Sequence, residues 1–134
     1  MKKKVVIDNN VLFASFLFES ENCNKIMQMV TNGEIKNYIS IEMLSEFEEK
    51  LKKKFRVDNN IIQELLSFIL SISKFIHIVV RIDKVRDIKD NMVLETAVSA
   101  DVDYIITGDK DLLILNEFKG IKILSPHDFL KKFK

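Results

Sequence analysis

An α/β fold built on a parallel sheet is the class this sequence predicts, and three features predict it. Short apolar runs alternate with segments of helical periodicity along the chain, the pattern of successive β–α–β units. Two of the runs, Val5-Val6-Ile7 and Tyr104-Ile105-Ile106, are apolar throughout, as strands buried on both faces are. Each is followed at once or nearly so by an acid: Asp8 after the first, and Asp109 after the Thr107-Gly108 that ends the second. Open parallel sheets bind ligands beyond the carboxyl ends of their strands. If these two strands are neighbours, Asp8 and Asp109 share one cleft.

The elements follow in order. Lys4 to Ile7 is the first strand, and Val11 to Phe18 reads as a short buried helix. Glu19 to Asn24 is a polar break. Ile26, Met27 and Val30 have helical spacing, and Gly33 suits the left-handed position after that helix. Tyr38-Ile39 is a short second strand, and Ser40 is placed to cap the next helix. Ile41, Leu44, Phe47, Leu51 and Phe55 repeat at three and four residues and mark its apolar face. Asp58-Asn59-Asn60 breaks it, and Ile61 to Ile72, apolar around much of its circumference, predicts a well-buried helix. Phe75 to Val80 is the third strand, Asp87 to Ala100 a helix, Tyr104 to Thr107 the fourth strand and Ile121 to Leu124 the fifth. Ser125-Pro126 opens a last helix, with Pro at its first position. Right-handed crossovers then put helices on both faces of the sheet. No repeat or linker divides the chain, so residues 1–134 are expected to form a single domain.

Composition narrows the function classes. A 47% hydrophobic content, with only 3 Gly and 1 Pro, supports a packed core and excludes a disordered chain. The net charge of +1 is not the strong basic excess of many nucleic-acid binders, and local clustering matters more than the sum. The densest basic run is Lys50, Lys52, Lys53, Lys54 and Arg56. Lone Cys23 reads as a free thiol in a reducing compartment. Met1-Lys2-Lys3-Lys4 resembles the start of a secretory leader, but Asp8 cuts the apolar run after it. No run approaches the roughly 20 apolar residues of a membrane span. A cytoplasmic location away from membranes is expected.

The chemistry lies with the acids Asp8, Glu46, Asp87, Asp90, Asp109 and Asp111. Each singly has an ordinary reading as a turn former, a helix cap or part of a charged face. Glu46 lies about 140° from the centre of its helix's apolar stripe, at about 100° per residue, so it faces solvent or a wet cleft. Carboxylates that share a pocket repel one another, and a hard divalent cation such as Mg²⁺ or Mn²⁺ relieves the repulsion. Two His and one Cys, scattered in sequence, are a poor zinc set. No nucleophile elbow and no Gly-rich phosphate loop is present. A carboxylate-held metal with open water positions can brace a phosphodiester and activate a water, which is nuclease chemistry.

Four stretches carry a family resemblance: Val6-Ile7-Asp8-Asn9-Asn10-Val11-Leu12, the helix from Ser40 through Glu46 to Leu51, Asp90 to Ala97, and Ile106-Thr107-Gly108-Asp109-Lys110-Asp111-Leu112-Leu113. The last is the most specific. Together they resemble the PIN domain, the fold of VapC-like toxins of toxin–antitoxin pairs and of related metal-dependent ribonucleases, over essentially the whole chain. The resemblance implies a three-layer α/β/α fold with a five-stranded parallel sheet in the order 3-2-1-4-5. It implies that Asp8, Glu46, Asp90 and Asp109 hold Mg²⁺ or Mn²⁺ and carry catalysis, supported by Asn10 and Thr107, with Asp111 as a further acid. Asn9 stands where the family more often has Thr. The implied activity is endoribonuclease cleavage, with an RNA substrate, an antitoxin protein and a second copy of the chain as partners. The alternative is a catalytically silent module of the same fold that binds RNA or protein. A phosphoacceptor receiver fits poorly, because it needs paired acids at strand one. A haloacid-dehalogenase-type phosphatase needs a second Asp where Asn10 stands. For RNA, Lys52, Lys53 and Lys54 are the expected backbone contacts.

Overall fold

The computed structural model describes residues 2–133. In chain order the elements are β1 (Lys3–Ile7), α1 (Asn9–Phe18), α2 (Glu21–Thr31), β2 (Ile35–Ser40), α3 (Ile41–Lys53), α4 (Asn59–Ile72), β3 (Ser73–Ile76), α5 (Ile88–Ala100), β4 (Tyr104–Ile106), α6 (Lys110–Leu113), β5 (Glu117–Phe118), β6 (Ile121–Leu124) and α7 (Pro126–Lys132). One sheet joins all the strands in the order β3-β2-β1-β4-β6-β5. Every neighbouring pair is parallel except β5 with β6. The parallel part has the predicted order. The predicted five-stranded sheet gains a short antiparallel edge strand, β5, which the sequence reading lacked. Its hairpin turns through Lys119 and Gly120, both at positive φ, a conformation Gly adopts without steric cost.

β1 and β4 lie side by side at the centre, with Ile7 opposite Ile106. Val5, Val6 and Ile7 are buried, as are Tyr104, Ile105 and Ile106, so helices cover both faces of these strands. Both strands stop at the same edge. Asp8 follows β1 directly, and its backbone N–H still donates to the carbonyl of Ile106.

Caps set the helices. Ser20 Oγ accepts from the N–H of Cys23, so the segment read as a polar break is the cap and first turn of α2. Gly33, at φ +76°, follows that helix as predicted. Ser40 Oγ accepts from the N–H of Met43 and also lies 2.8 Å from Thr96 Oγ1, which ties the start of α3 to α5. Asp87 caps α5, and Ser125 caps α7 with Pro126 in its first turn.

Three readings are corrected by the packing. The buried line of α3 is Met43, Phe47 and Leu51, while Ile41 is exposed. Phe47 is fully buried and stacks on Phe13 at 4.9 Å. With Phe47 as centre, Glu46 sits about 100° round the helix, at the edge of the buried face. The helix α4, expected to be well buried, buries only Ile62 and Ile69, because it packs on α3 and β3 at the sheet's outer edge. The third strand pairs only through Ser73–Ile76, since β2 ends at Ser40 opposite Ile76. The chain beyond it is strapped to α5 instead: Ser99 Oγ accepts from Val79 N–H, Glu95 from Ile82 N–H, and Asn91 Oδ1 from Lys84 and Val85 N–H. These acceptors fall four residues apart, on one stripe of the helix. Among the described residues, no helix is long and apolar enough to cross a membrane.

Candidate functional site

At the carboxyl ends of β1 and β4 lies a cavity of about 50 Å³ lined by Asp8, Glu46, Asp87, Asp90 and Asp109 together with Asn9, Asn10, Met43, Lys50, Lys89, Met92 and Val93. Each acid arrives on a different support. Asp8 and Asp109 are the capping residues of α1 and α6, and their carboxylates accept from the N–H groups of Asn10 and Asp111. Asp87 and Asp90 come from the start of α5, and Glu46 from the middle of α3. The rigid placement of α3 by buried Phe47, a side chain whose burial contributes about 1.5–3 kcal/mol, fixes where Glu46 points.

Thr107, fully buried, couples the two strand ends. Its hydroxyl donates to Asp8 Oδ2 at 2.7 Å and accepts from the N–H of Asp109 at 3.0 Å. Asn9 does similar work on the other side. Its Nδ2 donates to the carbonyl of Met43 and to Glu46 Oε1, both at 2.8 Å. Asn9 is 2% exposed, whereas Asn10 is exposed at the rim and contributes its backbone N–H. The sequence reading gave Asn9 no role; the signal was a polar residue of unusual size beside Asp8, but its reach to α3 required the fold.

Burial raises the pKa of Asp8, opposed by the hydrogen bonds from Thr107 and Asn10 and reinforced by the charges of Asp109 and Glu46. Asp90 is pushed up to about 7, first by burial and then by the charge and hydrogen bonding of Asp109, with Asp8 and Asp87 adding to it. Among the described residues, three buried side-chain polar atoms have no hydrogen-bond partner: Asn9 Oδ1, Glu46 Oε2 and Asp90 Oδ2. All three belong to residues that line this one cavity. Oxygens of Asp90, Asp109 and Asp111 also lie within 4.8 Å of one another. Crowded carboxylates, orphaned oxygens and an oxygen-only donor set fit a hard divalent cation.

The structure therefore brings Asp8, Glu46, Asp90 and Asp109 to one cleft, with Asn10 at its rim, Thr107 behind it and Asp111 beside Asp90 and Asp109. Lys52, Lys53 and Lys54 are exposed and do not line it. Lys52 pairs with Glu48 at 3.3 Å and Lys53 with Glu49 at 4.0 Å on their own helix, and Lys54 lies over the ring of Phe55. The cations that do line the cleft are Lys50 and Lys89, both directed at Glu46.

Known proteins resemble this chain in fold or in sequence. The crystal structure of VapBC2 from Rickettsia felis, bound to a DNA fragment from their promoter, contains a chain that superposes with a TM-score of 0.66 at 11% identity, covering 91% of this chain and 98% of that one. The uncharacterized protein MJ1680 of Methanocaldococcus jannaschii is 31% identical over 147 aligned positions, which span 100% of this chain and 94% of the relative. The PIN domain family model matches residues 4–111, from the first strand through Asp111, and so spans every acid of the cleft. On that match the chain belongs to the PIN domain family.

Proposed function

We propose that this protein is a Mg²⁺- or Mn²⁺-dependent endoribonuclease that acts in the cytoplasm as the toxin of a toxin–antitoxin pair. The observation that carries the reading is the gathering of Asp8, Glu46, Asp90 and Asp109 in one cavity whose lining residues also hold all three buried polar atoms that, among the described residues, lack a hydrogen-bond partner, Glu46 Oε2 being one of them although two lysine charges face it. Membership of the PIN domain family supports nuclease chemistry, and the likeness to a VapBC2 chain supports an antitoxin partner; a second copy of the chain as partner rests on the family resemblance alone.

In this reading Asp8, Glu46, Asp90 and Asp109 hold the cation, and Asp111 extends the set at its exposed side. When bound, the cation supplies a water of lowered pKa and neutralises charge on the phosphodiester under attack. The chain's own residues do the rest. Thr107 orients Asp8 and the Asp109 backbone through one hydroxyl. Asn9 holds Glu46 by Oε1 and leaves Oε2 without a hydrogen-bond partner. Met43, Met92 and Val93 form an apolar wall that limits bulk water. The exposed lysines at the end of α3, Lys52, Lys53 and Lys54, steer arriving RNA toward this face by long-range charge, without phosphate contacts of their own.

The test is cleavage of an end-labelled single-stranded RNA by the purified protein with Mg²⁺, Mn²⁺ or EDTA. Internal cuts that need metal and vanish in the Asp90→Asn variant are expected. RNA that is bound but never cut, with no melting shift in Mn²⁺, would refute the enzyme and favour a silent binding module of the same fold.

A further inference from the structure

The acidic cleft repels the polyanion that the nuclease reading sends into it. Its lining carries five carboxylates, Asp8, Glu46, Asp87, Asp90 and Asp109, against two cations, Lys50 and Lys89. The lysines come from different helices, Lys50 from α3 and Lys89 from the first turn of α5, yet they converge on one atom. Their Nζ atoms lie 3.3 and 3.9 Å from Glu46 Oε2. The contact is one of charge only, since that oxygen has no hydrogen-bond partner. Oε1 of the same carboxylate is held differently, by a 2.8 Å hydrogen bond from buried Asn9. Glu46 is thus anchored through one oxygen and engages both lysines loosely through the other. The Lys89 side chain is 53% exposed and that of Lys50 24%, so both ammonium groups can turn toward solvent without unpacking the core.

We propose that Lys50 and Lys89 form a phosphate clamp at the mouth of the cleft, held shut by Glu46 Oε2 until a divalent cation takes that oxygen. The ligand is a backbone phosphate of single-stranded RNA, and the proposal rests on the nuclease reading above. A lysine ammonium is a compact point charge with three donors, suited to a phosphate that approaches from varied directions. Drawing Glu46 Oε2 onto a cation removes the anion that both lysines face, so the phosphate replaces it at little cost in solvation. Metal and RNA then bind with positive coupling, each strengthening the other by the same factor. The metal-free protein disfavours RNA because its clamp is occupied from within. Lys52 and Lys53 lack this arrangement, since each pairs with a glutamate of its own helix outside the cavity.

The experiment measures the affinity of a fluorescently labelled, mixed-sequence single-stranded RNA at several KCl concentrations, with Ca²⁺ in place of Mg²⁺ to slow cleavage. The Lys50→Met/Lys89→Met double variant is expected to bind more weakly and to lose about 1.4 from the salt slope, at about 0.7 per phosphate contact. Its Mn²⁺ affinity, read by calorimetry, is expected to be retained or increased, because Glu46 Oε2 has lost its competitors; that binding also certifies the fold. The Lys52→Ala/Lys53→Ala/Lys54→Ala variant is expected to keep the wild-type slope. In metal-free buffer Glu46→Gln is expected to bind RNA more tightly than wild type, and by a larger factor than Asp109→Asn, which removes the same charge but frees no lysine. In the double-lysine background the two gains should become equal. Equal salt slopes for the wild type and the double variant, with RNA still bound and cut by the wild type, would overturn the clamp and leave the nuclease standing. A wild type that binds no RNA in Ca²⁺ would overturn both.

Discussion

Asp8 and Asp109 end two copies of one local design. In each, a central strand runs out at the same edge of the sheet and its acid caps the helix that follows. Their surroundings differ. Asp8 is 7% exposed and spends Oδ2 on the hydroxyl of Thr107. Asp109 is half-buried, spends Oδ1 on the N–H of Asp111, and stands beside Asp90 and Asp111 with an open side. One motif therefore yields a buried carboxylate fixed in place and a half-buried carboxylate with one side open to a ligand. The position of Thr107 between them, donating to one and accepting from the backbone of the other, converts two strand ends into one site.

The comparison breaks most visibly on neutralising each acid in turn. On the proposed function, Asp8→Asn and Asp109→Asn should each lower metal-dependent RNA cleavage by roughly 1,000-fold or more, since losing a proposed ligand should exceed the 10–100-fold cost of losing a residue that merely supports one. Their stabilities should part. Asp8→Asn replaces a buried charge by a neutral amide that still accepts from Thr107, so it should raise the metal-free melting temperature. Asp109→Asn should raise it less, acting mainly through relief of Asp90. Thermal melts in EDTA beside single-turnover cleavage check both halves, and a larger gain for Asp109→Asn would invert the comparison.

The second effect is on pH. Asp90 titrates near 7 when folded against an ordinary value of 3.8, so between these limits the folded protein binds the proton that the unfolded chain has released. Stability of the metal-free protein from this group is therefore greatest below about pH 4, falls as pH rises through about 7, and is flat above, by a few kcal/mol at most. The raised pKa of Asp8 acts in the same direction. Saturating Mn²⁺ should reverse the trend, because protons compete with the cation. The measurement is the melting difference between wild type and Asp90→Asn across pH 4 to 8 in EDTA. Asp90→Asn should gain on wild type as pH rises; a constant gap would show that Asp90 ionises normally.

The same contrast explains what the sequence could disclose. The centre was legible because Val5-Val6-Ile7 and Tyr104-Ile105-Ile106 are buried on both faces, so their apolar runs have one reading, and the acids that end them lie next to them in the chain. The outer strand was not. Phe75 to Val80 has strand composition throughout, but only Ile76 and its predecessors find a partner on β2, and the rest is claimed by side chains of α5 that no local pattern foretells. The helix α4 looked buried because its apolar residues surround it, yet only one side meets the protein, and Ile61, Phe68 and Leu70 remain exposed. In α3 the apolar stripe was centred too far from Glu46, because exposed Ile41 was counted in it and buried Met43 was not. The role of Asn9 is not legible in the sequence, since its partners, Met43 and Glu46, lie more than thirty residues away.

The smallest expected effect tests the link between the two acids rather than either acid. Thr107→Val preserves the shape of the side chain and removes the hydroxyl. Asp8 Oδ2 then loses its donor in a buried position and the N–H of Asp109 loses its acceptor. Leaving such groups unsatisfied costs about 1–3 kcal/mol of stability. Asp8 should also lose its fixed orientation, which lowers Mn²⁺ affinity by roughly 10–100-fold, the usual cost of removing a residue that orients a ligand. Thr107→Ser keeps the hydroxyl and sacrifices only a buried methyl, so it should lose about 1 kcal/mol of stability at most and hold Mn²⁺ nearly as wild type. Denaturant titration in EDTA and Mn²⁺ calorimetry separate the two quantities. If Thr107→Val and Thr107→Ser lose Mn²⁺ affinity equally, the hydroxyl bridge is incidental, and Asp8 and Asp109 reach the cleft through strand register alone.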